Sequence, residues 1–138
     1  MFHKTFFVGA LLSCSVMFAA PTFAQTATFD ADAVSAACAT SAEACVVAVR
    51  AAIATLRQAG LSAAQLNTQL GVIAGTALGA AASLPTAERA ALSGVLRDVA
   101  AASTNTQQIA SLTALAATLE SDASSVDLTA VAQSFSSN

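Results

Sequence analysis

The chain is 138 residues long, 56% hydrophobic and only 9% charged, with five basic against eight acidic side chains and a formal net charge of -3. That length holds one small domain. So little charge excludes a disordered polyelectrolyte, and the acidic balance excludes the basic patch that nucleic-acid binding needs.

Residues 1–24 are organised as a signal peptide. His3 and Lys4 form a short basic start, residues 5–20 an apolar core, and Pro21, Thr22, Phe23 and Ala24 lead to a cleavage site before Gln25. The core is 16 residues long, short of the roughly 20 that span a bilayer, so cleavage after Ala24 is expected rather than anchoring. This places the mature protein in the periplasm or outside the cell. Leu11-Leu12-Ser13-Cys14 resembles a lipoprotein lipobox, whose cysteine would be lipidated. The apolar run after Cys14, where a lipoprotein carries a polar tether, favours its removal with the leader.

The mature 114 residues keep four arginines and eight carboxylates, with no lysine, histidine, methionine, tyrosine or tryptophan. A Ser-His-Asp triad, a Schiff-base lysine and a histidine metal site are therefore excluded, no cofactor is expected, and the chain reads as a non-enzyme. Glycoside hydrolysis would need two carboxylates, and Glu88 with Glu120 or Asp122 with Asp127 are the pairs that could meet. Acidic residues near helix ends ordinarily cap or face solvent. Only Phe29 and Phe135 remain as aromatics, so stacking platforms for sugars or bases are not expected.

Cys38 and Cys45 are the only cysteines after Ala24 and, in an exported chain, read as a disulfide. On one continuous helix their Cα atoms would lie about 10.5 Å apart, beyond the roughly 7 Å a disulfide tolerates. The helix must break between them, and Thr40-Ser41 supplies the break with Ser41 as N-cap and Glu43 in the first turn. A redox Cys-x-x-Cys spacing is absent, and two thiolates without histidine cannot complete a zinc site.

Alanine makes up 33 of the mature residues and Pro85 is their only proline, so helices are favoured throughout. After an exposed segment at 25–30, a short first helix is expected over 31–39, started by Asp30 or Asp32, with Val34 and Cys38 on one face. The second runs over 42–59, where Val46, Val49, Ile53 and Leu56 recur at helical spacing opposite Glu43, Arg50 and Arg57. Gly60 ends it. Ser62 and Gln65 form a capping box, with Leu61 and Leu66 as its staple, opening a third helix to about residue 82 with Leu66, Leu70, Ile73 and Ala77 on one face. A turn at 83–86 leads to a fourth over 87–102, with Leu92, Val95, Leu96 and Val99 inward, and a polar break at 103–106 to a fifth over 106–120. Asp127 caps a last short helix over 128–133, and 134–138 is expected to fray. The pattern predicts an all-α fold: an Ala-rich antiparallel bundle spanning 31–133, with about four longer helices and a short one at each end.

Gly71, Gly75 and Gly79 recur every four residues, with Ser83 continuing the series. Each glycine costs about 0.8–1 kcal/mol of helix propensity against alanine, so three together ask for a partner packed closely against them. The Gly-x-x-x-Gly-x-x-x-Gly series resembles the glycine zippers of membrane and pore-forming helix pairs, which implies close helix contact and often homo-oligomers. The plainer expectation is internal packing on the second or fourth helix. Residues 58–87 lack charge, which raises membrane insertion, but only the 15 residues from 70 to 84 are continuously poor in polar groups. The sequence thus supports a structural or protein-interaction module of the cell envelope, partnered by another envelope protein or by itself. A membrane-associated glycine-zipper oligomer and a carrier of a small apolar ligand are the alternatives.

Overall fold

The computed structural model describes residues 29–136, so the leader at 1–24, Cys14 and the start of the segment at 25–30 lie outside the described residues. Seven helices follow one another with no strand among the described residues: α1 (Ala31–Thr40), α2 (Ala42–Gln58), α3 (Ala63–Ala81), α4 (Thr86–Ala91), α5 (Ser93–Ala102), α6 (Thr106–Asp122) and α7 (Leu128–Ser136). They form an all-α helical bundle. α3 packs against α1, α2, α5 and α7, while α6 closes on α4 and α5.

The ends of these helices are set by short polar side chains. Asp30 Oδ1 accepts from the Ala33 N–H at 2.9 Å and starts α1. Ser41 ends that helix and starts the next, donating its own N–H to the Ala37 carbonyl and accepting from the Ala44 N–H at its hydroxyl. Gly60, at φ +67°, is the one described residue in the left-handed region, and it turns the chain after α2 as only glycine does without strain. The Ser62–Gln65 capping box forms in both directions, at 3.3 and 3.1 Å. Asn105 caps α6 through the Gln108 N–H, and Asp127 caps α7 through the Thr129 and Ala130 N–H groups.

The fourth and last helices depart from expectation by more than a residue or two, and Phe29, in the segment expected to be exposed, is instead buried in the core. The fourth helix divides at Leu92, whose N–H bonds the Arg89 carbonyl three residues back and tightens the turn. Beyond it the buried Ser93 directs its hydroxyl to Glu120 on α6, and Gly94 adds a weak helix former. At the other end, α7 continues through Ser136 instead of fraying at Ser134, because Phe135 is half-buried against the core.

Among the described residues the core contains nine leucines and ten alanines as buried side chains. Leu56, Leu70, Leu78, Leu96, Leu112 and Leu119 are its fully enclosed bulk, and Ala74, Ala77, Ala81 and Ala116 let neighbouring helices approach closely. A core this thin leaves much of the joining to polar groups. Arg50 bridges α2 to Asp98 on α5 at 2.7 Å, and Arg97 forks onto both carboxylate oxygens of Glu120, joining α5 to α6. Arg89 fills the α3–α4 turn, donating to the Leu84 and Ala82 carbonyls at 2.8 and 2.6 Å.

Candidate functional site

The sequence-selected residues fall into three separate places. Cys38, near the end of α1, and Cys45, in the first turns of α2, are joined as a disulfide with Cα atoms 4.1 Å apart, and both are fully buried. The break at Ser41 brings them together, and α1 is thereby fixed to α2 within the core.

The glycine series lies along α3, but the neighbour shared by Gly71 and Gly79 is neither α2 nor the α4–α5 pair as expected. That neighbour is α7, which makes its most extensive packing with α3. A Cβ added at Gly79 would lie 3.5 Å from the Ala132 Cβ, and one at Gly71 would lie 3.5 Å from the Phe135 carbonyl oxygen. Gly71 and Gly75 are buried, Gly79 remains exposed beside α7, and Ser83 lies past the end of α3 with its hydroxyl donating to the Ala80 carbonyl. The sequence pointed to the wrong partner because residues 134–138 read as a loose end, which left the last helix too short to cover a groove.

The candidate acid–base carboxylates have separate structural partners. Glu88 on α4 accepts the Ala42 N–H at 3.0 Å and so caps α2 from another helix. Glu120 takes the fork of Arg97 and the hydroxyl of Ser93. The Arg97 hydrogen bond holds its carboxyl below the usual range against a smaller opposing effect of burial, and the same bond raises Arg97. Asp122 closes the turn after α6 by accepting from the Ser124 N–H and hydroxyl, and the hydroxyl bond lowers its carboxyl. Asp127 is the α7 cap. No cluster of three His, Cys, Asp or Glu side chains that could hold a metal occurs among the described residues.

A cleft of about 470 Å³ opens where the first turns of α3 and α6 meet the last turn of α7. Its wall is a neutral hydrogen-bond network. Asn67 Oδ1 accepts the Thr104 N–H at 2.9 Å while its Nδ2 donates to the Thr104 hydroxyl at 3.0 Å, which fixes the orientation of this amide. Gln108 Nε2 donates to the Asn67 backbone carbonyl at 3.0 Å, so its Oε1 faces the Ser103 hydroxyl at 2.7 Å. The single Ser103 proton faces two amide oxygens, Gln108 Oε1 and, 3.0 Å away, Asn67 Oδ1, and the shorter distance favours Gln108. Gly71 lies beneath this wall, where a Cβ would meet Gln108 Nε2 at 3.4 Å.

Gln107 and Ser111 are exposed on the α6 side of the cleft, and neither side chain is hydrogen-bonded within the described residues. Ala64, Thr68, Asn105 and Phe135 complete the lining, which contains no charged residue. Sequence reasoning passed over this site. By residue type Asn67 and Thr68 are polar residues that precede the apolar stretch at 70–84, and 103–106 is a helix break. The available signal was polar side chains among the lining residues, Asn67 and Thr68 on α3 and Gln107 with Ser111 one turn apart on α6.

Among the described residues no helix is long and apolar enough to cross a membrane. No protein-family model matches the chain, and neither does any curated protein or solved structure.

Proposed function

We propose that the mature chain is a non-enzymatic interaction module of the cell envelope, exported, trimmed after Ala24 and held by its disulfide. The observation that carries this reading is the employment of its ionisable groups. Arg50, Arg89 and Arg97 join or close helices, and Glu88, Asp98, Glu120, Asp122 and Asp127 serve as caps, ion pairs and turn acceptors. Most of the residues that could have moved protons hold the scaffold together, which makes recognition by a largely neutral surface the work supported best. The Cys38–Cys45 disulfide suits an oxidising compartment.

The glycine-zipper oligomer has less support, since α7 of the same chain lies over Gly71 and Gly79 and would have to move aside. An apolar-ligand carrier has less support too, because the cleft is walled with amides and hydroxyls. The test is to express the full chain with its own leader in a Gram-negative host and to take the intact mass, thiol content and sedimentation of the product. A periplasmic protein beginning at Gln25, with no free thiol and no flotation on liposomes, is expected. A retained leader with three free thiols, Cys14 among them, would overturn export, and a defined oligomer or flotation with lipid would transfer the proposal to the glycine face.

A further inference from the structure

We infer that the cleft between α3, α6 and α7 binds a neutral saccharide of one or two rings. The inference rests on the cleft's geometry and holds whether or not the chain is exported. Its volume, about 470 Å³, lies within the range of small-molecule sites.

The lining selects the chemistry. With no charged side chain around it, an ionic ligand would leave water without a counter-charge, which disfavours anions and cations alike. A wholly apolar ligand would strand the Gln107 amide and the Ser111 hydroxyl without partners, at the cost of desolvating each. A peptide bound by strand addition would need a sheet edge, and the described residues contain no strand.

A sugar meets both requirements. Each hydroxyl both donates and accepts, as the Gln107 amide and the Ser111 hydroxyl do, and its C–H face packs on an aromatic ring. Only two phenylalanines follow Ala24, too few for an extended sugar platform. One of those two, Phe135, lines this cleft. The Asn67–Ser103–Gln108 network holds the Asn67 and Gln108 part of the wall in fixed hydrogen bonds, so little is lost in ordering it on binding.

The test is an NMR titration of ¹⁵N-labelled protein, purified after expression of the full chain, with maltose, cellobiose, trehalose and diacetylchitobiose, each to about 50 mM, to detect dissociation constants near 1 mM. Amide shifts confined to 64–71, 105–111 and Phe135 are expected from at least one sugar. Gln107→Ala and Ser111→Ala change exposed side chains, so the spectrum away from the cleft stays in place while affinity falls about two- to tenfold each, as for one lost hydrogen bond. Silence from all four sugars, shifts elsewhere, or shifts indifferent to both substitutions would overturn the inference. So would a response to the neutral peptide trialanine amide when the sugars give none. None of these outcomes bears on export, which the mass and thiol measurements decide separately.

Discussion

Two glycines of the same series are expected to respond to substitution with opposite signs. Gly79 is exposed in the last turn of α3, and an added Cβ would lie in ordinary contact with the Ala132 Cβ at 3.5 Å. Gly79→Ala therefore removes backbone freedom from the unfolded chain without a clash and should stabilise by about 0.5–1 kcal/mol. For a domain of this size that raises the thermal midpoint by about 2–4 °C. Gly75 is buried within the same helix. Gly75→Leu gains about 1 kcal/mol in propensity but forces four carbons into a packed interface at up to about 3 kcal/mol. The net loss of about 2 kcal/mol lowers the midpoint by about 8 °C. Urea unfolding with an unchanged m-value would show that the folded state, and not the compactness of the unfolded chain, accounts for both effects. Destabilisation by Gly79→Ala would mean that α7 lies nearer to α3 than the geometry allows, and an unchanged midpoint for Gly75→Leu would mean that the buried side of the series opens to solvent.

Three further outcomes follow from particular contacts. Reducing the Cys38–Cys45 disulfide should lower stability by about 2.5 kcal/mol in the chain-entropy model for a loop of about eight residues, with the helical circular dichroism retained; loss of the fold on reduction would give the disulfide a larger part than loop closure. Glu120 and Asp122 have folded-state carboxyls held below their ordinary values, so their contribution is present above the unfolded range and disappears as pH falls through the folded values. The thermal midpoint should accordingly fall on acidification from about pH 6 to about pH 2.5, and Glu120→Gln should flatten part of that slope; an unaltered slope would assign the acid sensitivity to other carboxylates. Glu88→Ala removes the acceptor for the Ala42 N–H and should cost about 0.5–2 kcal/mol, as for a lost N-cap, measured by denaturant midpoint.

How far the sequence could be read depended on how local each determinant was. The capping box at Ser62, the αL glycine at 60 and the Ser41 break between the cysteines are set by neighbours within a few residues, and all three form where the spacing places them. The inward face Leu92, Val95, Leu96 and Val99 was legible from period alone, and all four residues are buried. What stayed hidden was non-local. Nothing near Gly71 in sequence says that Phe135, in a segment that reads as a tail, will lie over it. Nor does residue type show that Gln108 will bond the backbone of Asn67, since an amide on one helix reaches a carbonyl on another only after both have been placed.

The same distinction explains why the candidate site was the part least visible in advance. A catalytic centre announces itself by residue types that are rare and reactive, and the mature chain has no histidine or lysine to offer. A neutral cleft is built from asparagine, glutamine, serine and threonine, the residues that also mark turns and caps. At 103–108 these residues perform both tasks at once. Asn105 caps α6 through the Gln108 N–H while Ser103 and Gln108 join the linker to the cleft wall. Helix start and cleft wall are therefore one structure, and a substitution such as Asn105→Ala that loosens the first turn of α6 would alter the cleft as well as stability. Gln107 and Ser111 stand outside that coupling, with exposed side chains and no bond to the scaffold, and that is why changes there separate recognition from folding.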